Sequence, residues 1–240
     1  MQGFRFFILH LGMARKLRLK SAMRWGWIIL ALCWTAGHAS ATELSVLPRE
    51  DHAQWQAVGR LNVSGFRNRE MCTGVLIAPD RVLTAAHCVS GTDGLGPRPD
   101  EFTFVAGWLQ GTAADSATGA SIWVHPKAYA EGLLNIRFDI ALLDLARPLD
   151  IPPLPLSTSA AAPFGIVGYS TRRPHMLSAS FECDGQTLTN LLRLDCPVLP
   201  GNSGGPVLTR DGDRWSVTAV VSAMGQSGAL AVPVSLLPED

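Results

Sequence analysis

The chain has 240 residues, enough for one large domain or two small ones with a hydrophobic core. Hydrophobic residues make up 47% and charged residues 17%, and the 23 Gly and 16 Pro indicate strands and turns rather than long helices. The formal net charge is zero, but the first 41 residues hold six of the 20 basic residues and none of the acidic ones. The rest of the chain is therefore mildly acidic, and no nucleic-acid partner is expected.

The N-terminus has the pattern of an export signal. Residues 25–34, WGWIILALCW, form a short apolar run behind basic residues, and ASA at 39–41 fits a small-x-small cleavage site. We therefore predict a signal peptide over residues 1–41, with Met23 as a second start site, and a secreted or periplasmic protein. The run of about ten residues is too short to span a bilayer comfortably, so contact with the membrane is expected only through the signal. An uncleaved anchor is the alternative interpretation.

Four cysteines remain if the signal is removed: Cys72, Cys88, Cys183 and Cys196. An even count in an exported protein predicts two disulfides, and the residues alone leave three pairings open. No C-x-x-C spacing is present, so no zinc site is expected. No cofactor or metal is predicted.

A short N-terminal or propeptide segment is predicted over residues 42–54. About a dozen short apolar runs separated by turn signals then follow, and this spacing is typical of an all-β barrel or sandwich. Residues 150–163 are rich in Pro, Ser and Ala and predict a linker between halves at about 55–149 and about 164–240. The predicted strands are at 55–63, 71–78, 101–109, 120–126, 139–145, 164–169, 176–183, 191–196, 206–210, 215–223 and 229–234.

Three segments carry candidate chemistry. Ser203 lies among glycines in CPVLPGNSGGPVL, either in a plain tight turn or as a nucleophile, which would need a base and an orienting carboxylate. His87, in VLTAAHCV, is a candidate base or a core histidine beside a disulfide. Asp139 opens DIALLDL, where a buried charge would need a partner; a strand-start cap is the alternative. Three other histidines are expected at the surface or at strand ends: His52, His125 and His175.

Together these motifs resemble the trypsin/chymotrypsin family of serine proteases. LTAAHC, DIALL and GNSGGP occur in the order His87, Asp139, Ser203, at intervals of 52 and 64 residues. CTGVLIAPDRVLTAAHCV at 72–89 matches closely, and the resemblance covers roughly residues 55–234. It implies an all-β peptidase domain over residues 55–240, with two six-stranded antiparallel β-barrels and the active site in the cleft between them.

The resemblance also implies the roles of the site residues. His87 would be general base and then general acid, Asp139 would orient its ring, and Ser203 would attack the substrate carbonyl. The backbone N–H groups of Gly201 and Ser203 would form the oxyanion hole. A bridge between Cys72 and Cys88 beside the catalytic histidine is implied as well, and with it the second pair Cys183–Cys196.

Substrate binding is implied for residues further along the chain. Ser222 lies where the family places a serine bonded to the catalytic aspartate, and Ser222, Ala223 and Met224 would line the edge that pairs with substrate. Pro197 stands at the pocket base, where trypsin has the aspartate that selects Arg or Lys. Asn202 replaces another trypsin aspartate, the partner of the new N-terminus, so a trypsin-type activation switch is not expected.

The sequence therefore predicts an exported, monomeric serine endopeptidase that acts on protein or peptide substrates through an acyl-enzyme. A catalytically silent binding protein on the same fold is the alternative from another class. Such proteins usually lose one of the three catalytic residues, and all three are present here. An esterase of the α/β-hydrolase type would have the order Ser, Asp, His with a G-x-S-x-G motif, and both the order found here and the GNSGG context of Ser203 argue against it.

Overall fold

A computed structural model describes residues 43–63, 71–91, 96–225 and 228–239. The predicted signal peptide lies outside these residues. The described ranges fall in one compact unit that spans residues 41–240. Within them all the helical segments are short 3-10 turns, and no helix is long and apolar enough to cross a membrane.

The first half of the body is a closed barrel of six antiparallel strands, as expected. Its order is β2-β3-β4-β9-β6-β5. Alternating burial along β5 places Phe102 and Phe104 inside, where they pack with Leu61 and Leu143. A two-stranded ribbon, β7 with β8, lies between β6 and β9 along the chain. The strands are β2 Val58–Val63, β3 Met71–Ala78, β4 Arg81–Thr84, β5 Phe102–Ala106, β6 Asp115–Val124, β7 Tyr129–Ala130, β8 Leu133–Leu134 and β9 Ala141–Leu145.

The second half is an eight-stranded sheet with the order β1-β11-β10-β14-β15-β16-β13-β12. The expected six-stranded barrel is not closed by hydrogen bonds here, because β1 extends one edge and the β12–β13 hairpin extends the other. The sheet nevertheless curls as a half-barrel, and the all-β, two-barrel class is confirmed. The strands are β1 Ser45–Val46, β10 Phe164–Ser170, β11 Arg173–Cys183, β12 Gly185–Leu188, β13 Leu191–Leu194, β14 Pro206–Asp211, β15 Arg214–Gly225 and β16 Gly228–Pro233.

The segment before the first barrel packs against the second sheet. β1 pairs with β11, and Leu44 and Leu47 are buried on either side of it. The Glu43 carboxylate accepts a hydrogen bond from Arg173 at 2.9 Å. His52, expected at the surface or at a strand end, is instead only 6% exposed, because it and Trp55 form the buried face of an otherwise largely exposed 3-10 segment (Arg49–Trp55). Removal of residues 42–54 as a propeptide stays a prediction.

Residues 150–163 connect the two sheets without forming a strand. The backbone N–H of Leu154 donates to Leu76 on β3, and the backbone N–H of Val217 on β15 donates to Pro155. Apolar residues of both sheets also share one core, including Val75 and Leu83 of the first barrel. This shared core brings the ends of β3 and β4 against the second sheet, where the candidate site lies.

Candidate active site

Asp139 is fully buried and accepts three hydrogen bonds. It follows a 3-10 turn, Ile136–Phe138, just before β9. Its Oδ1 accepts from the backbone N–H of His87 at 2.9 Å, and its Oδ2 accepts from His87 Nδ1 at 2.7 Å and from Ser222 Oγ at 2.6 Å. Because a carboxylate can only accept, the ring proton lies on Nδ1, and Nε2 is the nitrogen able to take a proton.

The turn that carries His87 is fixed by small residues and a disulfide. It is a single 3-10 turn, Ala86–Cys88, directly after β4, and Ala85 and Ala86 are fully buried. The bridge from Cys88 to Cys72 ties the turn to β3. The His87 side chain is 30% exposed, so its outer ring edge faces solvent while the Nδ1 edge faces Asp139.

Tyr129 supports the same turn and was not identified from the sequence. The Ser90 hydroxyl donates to Tyr129 Oη at 3.1 Å, and that hydroxyl donates to the Ser90 carbonyl at 3.0 Å. Burial raises the pKa of Tyr129, and the negative charge of Asp139 raises it further. Tyr129 therefore stays neutral and keeps its hydrogen-bond donor. A single tyrosine between two alanines, Ala128 and Ala130, carries no pattern that would identify it in a sequence.

Ser203 lies in a tight segment, residues 199–205, which we call the nucleophile turn. Asn202 is 2% exposed and its amide makes two bonds: Oδ1 accepts from Leu199 N–H at 2.8 Å, and Nδ2 donates to the Tyr169 carbonyl at 2.8 Å. A carboxylate could accept the first bond but could not donate the second. The asparagine therefore holds the turn without the ion pair that an aspartate would need.

The nucleophile turn lies against the strands that lead to His87. The backbone N–H of Thr73 on β3 donates to the Ser203 carbonyl at 2.9 Å. Gly204 has φ +77°, and a Cβ there would lie 2.1 Å from Thr84 Oγ1 and 2.3 Å from the Thr73 carbonyl oxygen. Only glycine allows this approach. The Gly204 N–H also donates to the carbonyl of Val221, the residue before Ser222, at 2.7 Å. The nucleophile turn is therefore bonded both to β3 of the first barrel and to β15, the strand that carries Ser222.

Gly201 and Ser203 present the backbone groups expected for an oxyanion hole. Gly201 has φ +98°, a conformation that side-chain-bearing residues rarely adopt. Within the described residues, the backbone N–H groups of Gly201 and Ser203 donate to no protein acceptor. Ser203 is partly exposed, whereas Gly201 and the intervening Asn202 are buried. Two amide donors beside a partly exposed hydroxyl are thus left available.

The substrate-binding residues predicted on β15 lie at a sheet edge. β14 pairs with β15 only as far as Val220. Ala223 and Met224 pair with β16 on one side, and no strand among the described residues pairs them on the other. Met224 is 58% exposed. Pro197 is half-buried, directly after Cys196 of the second bridge, Cys183–Cys196, and its place at a pocket base stays a prediction.

Metal ligation is not favoured at this site. Among the described residues, Cys72, His87 and Cys88 form a cluster of metal-ligating residue types. Both sulfurs belong to the disulfide, so no thiolate is available as a ligand. The cluster therefore offers a single imidazole, which the Asp139 carboxylate already orients.

Comparisons with known proteins identify the family to which this chain belongs. Residues 72–219 match the family model described as a trypsin-like peptidase domain. Serine protease 23 of Rattus norvegicus is 30% identical over 174 residues, which is 58% of this chain and 43% of that protein. A trypsin of Saccharopolyspora erythraea is 31% identical over 91 residues, 37% of each chain. The chain thus spans less than half the length of these curated relatives.

A solved structure supports the fold. The crystal structure of a thermostable serine protease, AL20, from an extremophilic microorganism has a TM-score of 0.63 against this chain. It covers 75% of this chain and 92% of its own, with 16% sequence identity. At this identity the likeness concerns the fold alone.

Proposed function

Because the chain belongs to the family of trypsin-like serine proteases, we propose that it is an exported endopeptidase with His87, Asp139 and Ser203 as its catalytic residues. The observation that carries the proposal is the buried Asp139 carboxylate, which accepts from both His87 Nδ1 and Ser222 Oγ. No specific observation favours a catalytically silent binding protein, because such a protein would not need an imidazole that a buried carboxylate orients.

The proposed chemistry is acyl transfer in two steps. The Ser203 oxygen attacks the peptide carbonyl carbon while its proton passes to His87 Nε2. Asp139 stabilises the imidazolium that forms, since its carboxylate accepts from Nδ1 at 2.7 Å. The imidazolium then donates its proton to the leaving amine, the C–N bond breaks and an acyl-enzyme remains. Water releases the acyl group by the same sequence, with His87 again as base.

The backbone N–H groups of Gly201 and Ser203 would bind the oxyanion of each tetrahedral intermediate. They have no acceptor among the described residues, and such a donor is worth about 3–4 kcal/mol in the transition state. Donors fixed in advance cost no reorganisation when the charge develops. The positive φ of Gly201 is consistent with this role.

The proposed substrate is an extended segment of a protein or peptide. The unpaired edge at Ala223 and Met224 can accept such a segment as an added strand, with backbone hydrogen bonds that do not depend on its sequence. Pro197 replaces the aspartate with which trypsin selects basic residues, so cleavage after Arg or Lys is only weakly supported.

Export is part of the proposal. The two disulfides, Cys72–Cys88 and Cys183–Cys196, fit an oxidising compartment such as the cell exterior or the periplasm. The signal peptide predicted over residues 1–41 would direct the chain there. The two observations are independent, because the disulfides lie in the folded body and the signal precedes it.

The proposal is tested with a fluorophosphonate probe and a peptide library, each applied to the mature protein with its disulfides formed. We expect labelling and cleavage by the wild type, and neither by Ser203→Ala. His87→Ala should lose nearly all labelling because the hydroxyl no longer has a base. Ser178→Ala, which removes the hydroxyl of a buried serine on β11, is the control and should behave like the wild type. Equal inertness of wild type and Ser203→Ala would refute the endopeptidase function.

A further inference from the structure

Thr73 lies at the centre of the contact between the two sheets, beside the candidate site. It is the third residue of β3, directly after the half-cystine Cys72, and is fully buried. Its hydroxyl accepts from the backbone N–H of Tyr169 on β10 at 3.0 Å. The same hydroxyl donates to the Gly201 carbonyl at 2.7 Å, closer than the Tyr169 carbonyl at 3.4 Å. One side chain of the first barrel thus reaches the nucleophile turn and the second sheet together.

The hydrogen bonds that the carbonyls of the nucleophile turn accept determine the directions of its N–H groups. In a trans peptide the C=O and the N–H point in opposite directions. The Pro200 carbonyl accepts from Thr171 N–H at 2.8 Å, which turns the Gly201 N–H away from Thr171. The Asn202 carbonyl accepts from Gly205 N–H at 2.9 Å, which turns the Ser203 N–H away from Gly205. The peptide between these two is the one whose carbonyl Thr73 holds.

This middle peptide is restrained at two points: the Asn202 N–H donates to the Leu199 carbonyl at 3.0 Å, and the Gly201 carbonyl accepts from the Thr73 hydroxyl at 2.7 Å. Gly201 has φ +98° and no Cβ, so rotation about its backbone bonds is less hindered than at other residues. This peptide lies between the two peptides that carry the oxyanion donors, so its rotation would move the Gly201 and Ser203 N–H groups relative to each other. Without the Thr73 hydroxyl the buried Gly201 carbonyl would lose its donor, and rotation toward another donor would relieve that loss.

We propose that Thr73 is a positioning residue for the oxyanion hole, acting through its hydroxyl bond to the Gly201 carbonyl. The inference rests on the proposed peptidase function. Thr73 touches neither the substrate nor the reacting atoms in this role. Because the donors act on charge that develops in the transition state, loss of the hydroxyl should affect turnover more than substrate binding.

The test replaces Thr73 in three ways and measures kcat, KM and inhibition by a peptide boronate. Thr73→Val keeps the shape and removes the hydroxyl; we expect kcat to fall about 10- to 100-fold, KM to stay within about twofold, and boronate binding to weaken in parallel with kcat. Thr73→Ser keeps the hydroxyl and should restore kcat to within about threefold. Thr73→Ala is made alongside because a smaller side chain is more easily accommodated, and its kcat should also fall.

Thr218→Val is the matched control. Thr218 is buried and its hydroxyl donates to the Ser159 carbonyl at 2.9 Å, on the linker between the two halves. This variant loses a comparable bond, so its stability should drop while kcat and boronate affinity remain unchanged. A Thr73→Val or Thr73→Ala enzyme with wild-type kcat and boronate affinity would overturn the inference.

Crystal structures of the wild type and of Thr73→Val, or of Thr73→Ala if Thr73→Val does not fold, separate this inference from the proposed function. Absence of turnover in the wild type would refute the peptidase function. The orientation of the Gly201–Asn202 peptide would still decide the role of Thr73: rotation in the variant supports it, and an unchanged peptide refutes it.

Discussion

His87 and Ser203 come from different sheets and are held in different ways. On the first barrel, one buried carboxylate, Asp139, accepts from both the ring and the backbone of His87. On the second sheet, the backbone of the turn around Ser203 is held by neutral hydrogen bonds: Thr73 and Thr171 donate to its carbonyls, and the Asn202 side chain accepts from the Leu199 N–H. Hydrogen bonds to a charged group are about twice as strong as neutral ones. The position of His87 thus depends on the charge of Asp139, and the position of Ser203 depends on many weaker hydrogen bonds.

The largest effect is expected from removing that one charge. Asp139→Asn leaves the shape nearly unchanged, but an amide cannot accept from Ser222 and from both His87 groups as the carboxylate does. The imidazole then loses the tautomer with Nε2 as base, and we expect kcat to fall about 10⁴-fold.

The control for Asp139→Asn is Asp144→Asn. Asp144 also accepts two hydrogen bonds, from Arg81 at 2.8 Å and Ser121 at 2.7 Å, but it lies on the partly exposed outer face of β9. Its kcat should match that of the wild type in steady-state assays. A comparable loss of kcat in both variants would mean that the activity of His87 does not depend specifically on the Asp139 carboxylate.

A smaller effect, mainly on stability, is expected on the serine side from Asn202→Asp. The new carboxylate would still accept from the Leu199 N–H, but its second oxygen would face the Tyr169 carbonyl, which now accepts from Nδ2 at 2.8 Å, so a buried charge would meet another acceptor. We expect the free energy of unfolding to fall by about 3 kcal/mol, as measured by urea denaturation with intact disulfides.

Asn135→Asp is the matched control for this change. The Asn135 side chain only accepts, from Arg137 N–H at 3.3 Å, and a carboxylate can do the same. Its stability should remain close to that of the wild type. If Asn202→Asp were equally mild, the donated bond to Tyr169 would contribute little to the nucleophile turn.

The smallest effect is expected from His52, which lies far along the chain from both catalytic groups. Burial lowers the pKa of His52 below its usual 6.5. Its Nε2 donates to the Leu47 carbonyl at 3.3 Å, and Nδ1 has no partner among the described residues, so protonation would bury an unpaired N–H. The unfolded chain then binds more protons, and stability should fall as the pH drops below about 6.5.

Urea denaturation at pH 8 and pH 5 measures this loss, and His52→Phe should make it smaller. It will not abolish the loss, because burial and the charge of Lys127 also lower the pKa of His125. The exposed His175 provides the control, and His175→Gln should keep the wild-type dependence. An unchanged pH dependence in His52→Phe would show that His52 does not contribute. Neither variant should alter kcat at pH 8.

Much of the fold was predictable because its strands carry local patterns. Nearly all the longer strands, such as β3, β10 and β15, lie close to the predicted runs, since apolar residues bounded by turn signals are a property of neighbouring residues. The two-residue strand β1 was missed, as were β4 and the exposed β12. β1 exists only because β11 offers it an edge, and no local pattern encodes that pairing.

For the candidate site, the residue types, their order and the family could be read from the sequence, because His87, Asp139 and Ser203 stand in recognisable motifs whose chemistry follows from the side chains. The tertiary structure alone decided how these groups are held. The bonds from Thr73 to Gly201 and from Asn202 to Tyr169 join residues 128 and 33 positions apart. The first bond exists only when the two separately encoded sheets pack together, because each sheet supplies one partner, and the second exists only when the nucleophile turn folds back onto β10 within the second sheet.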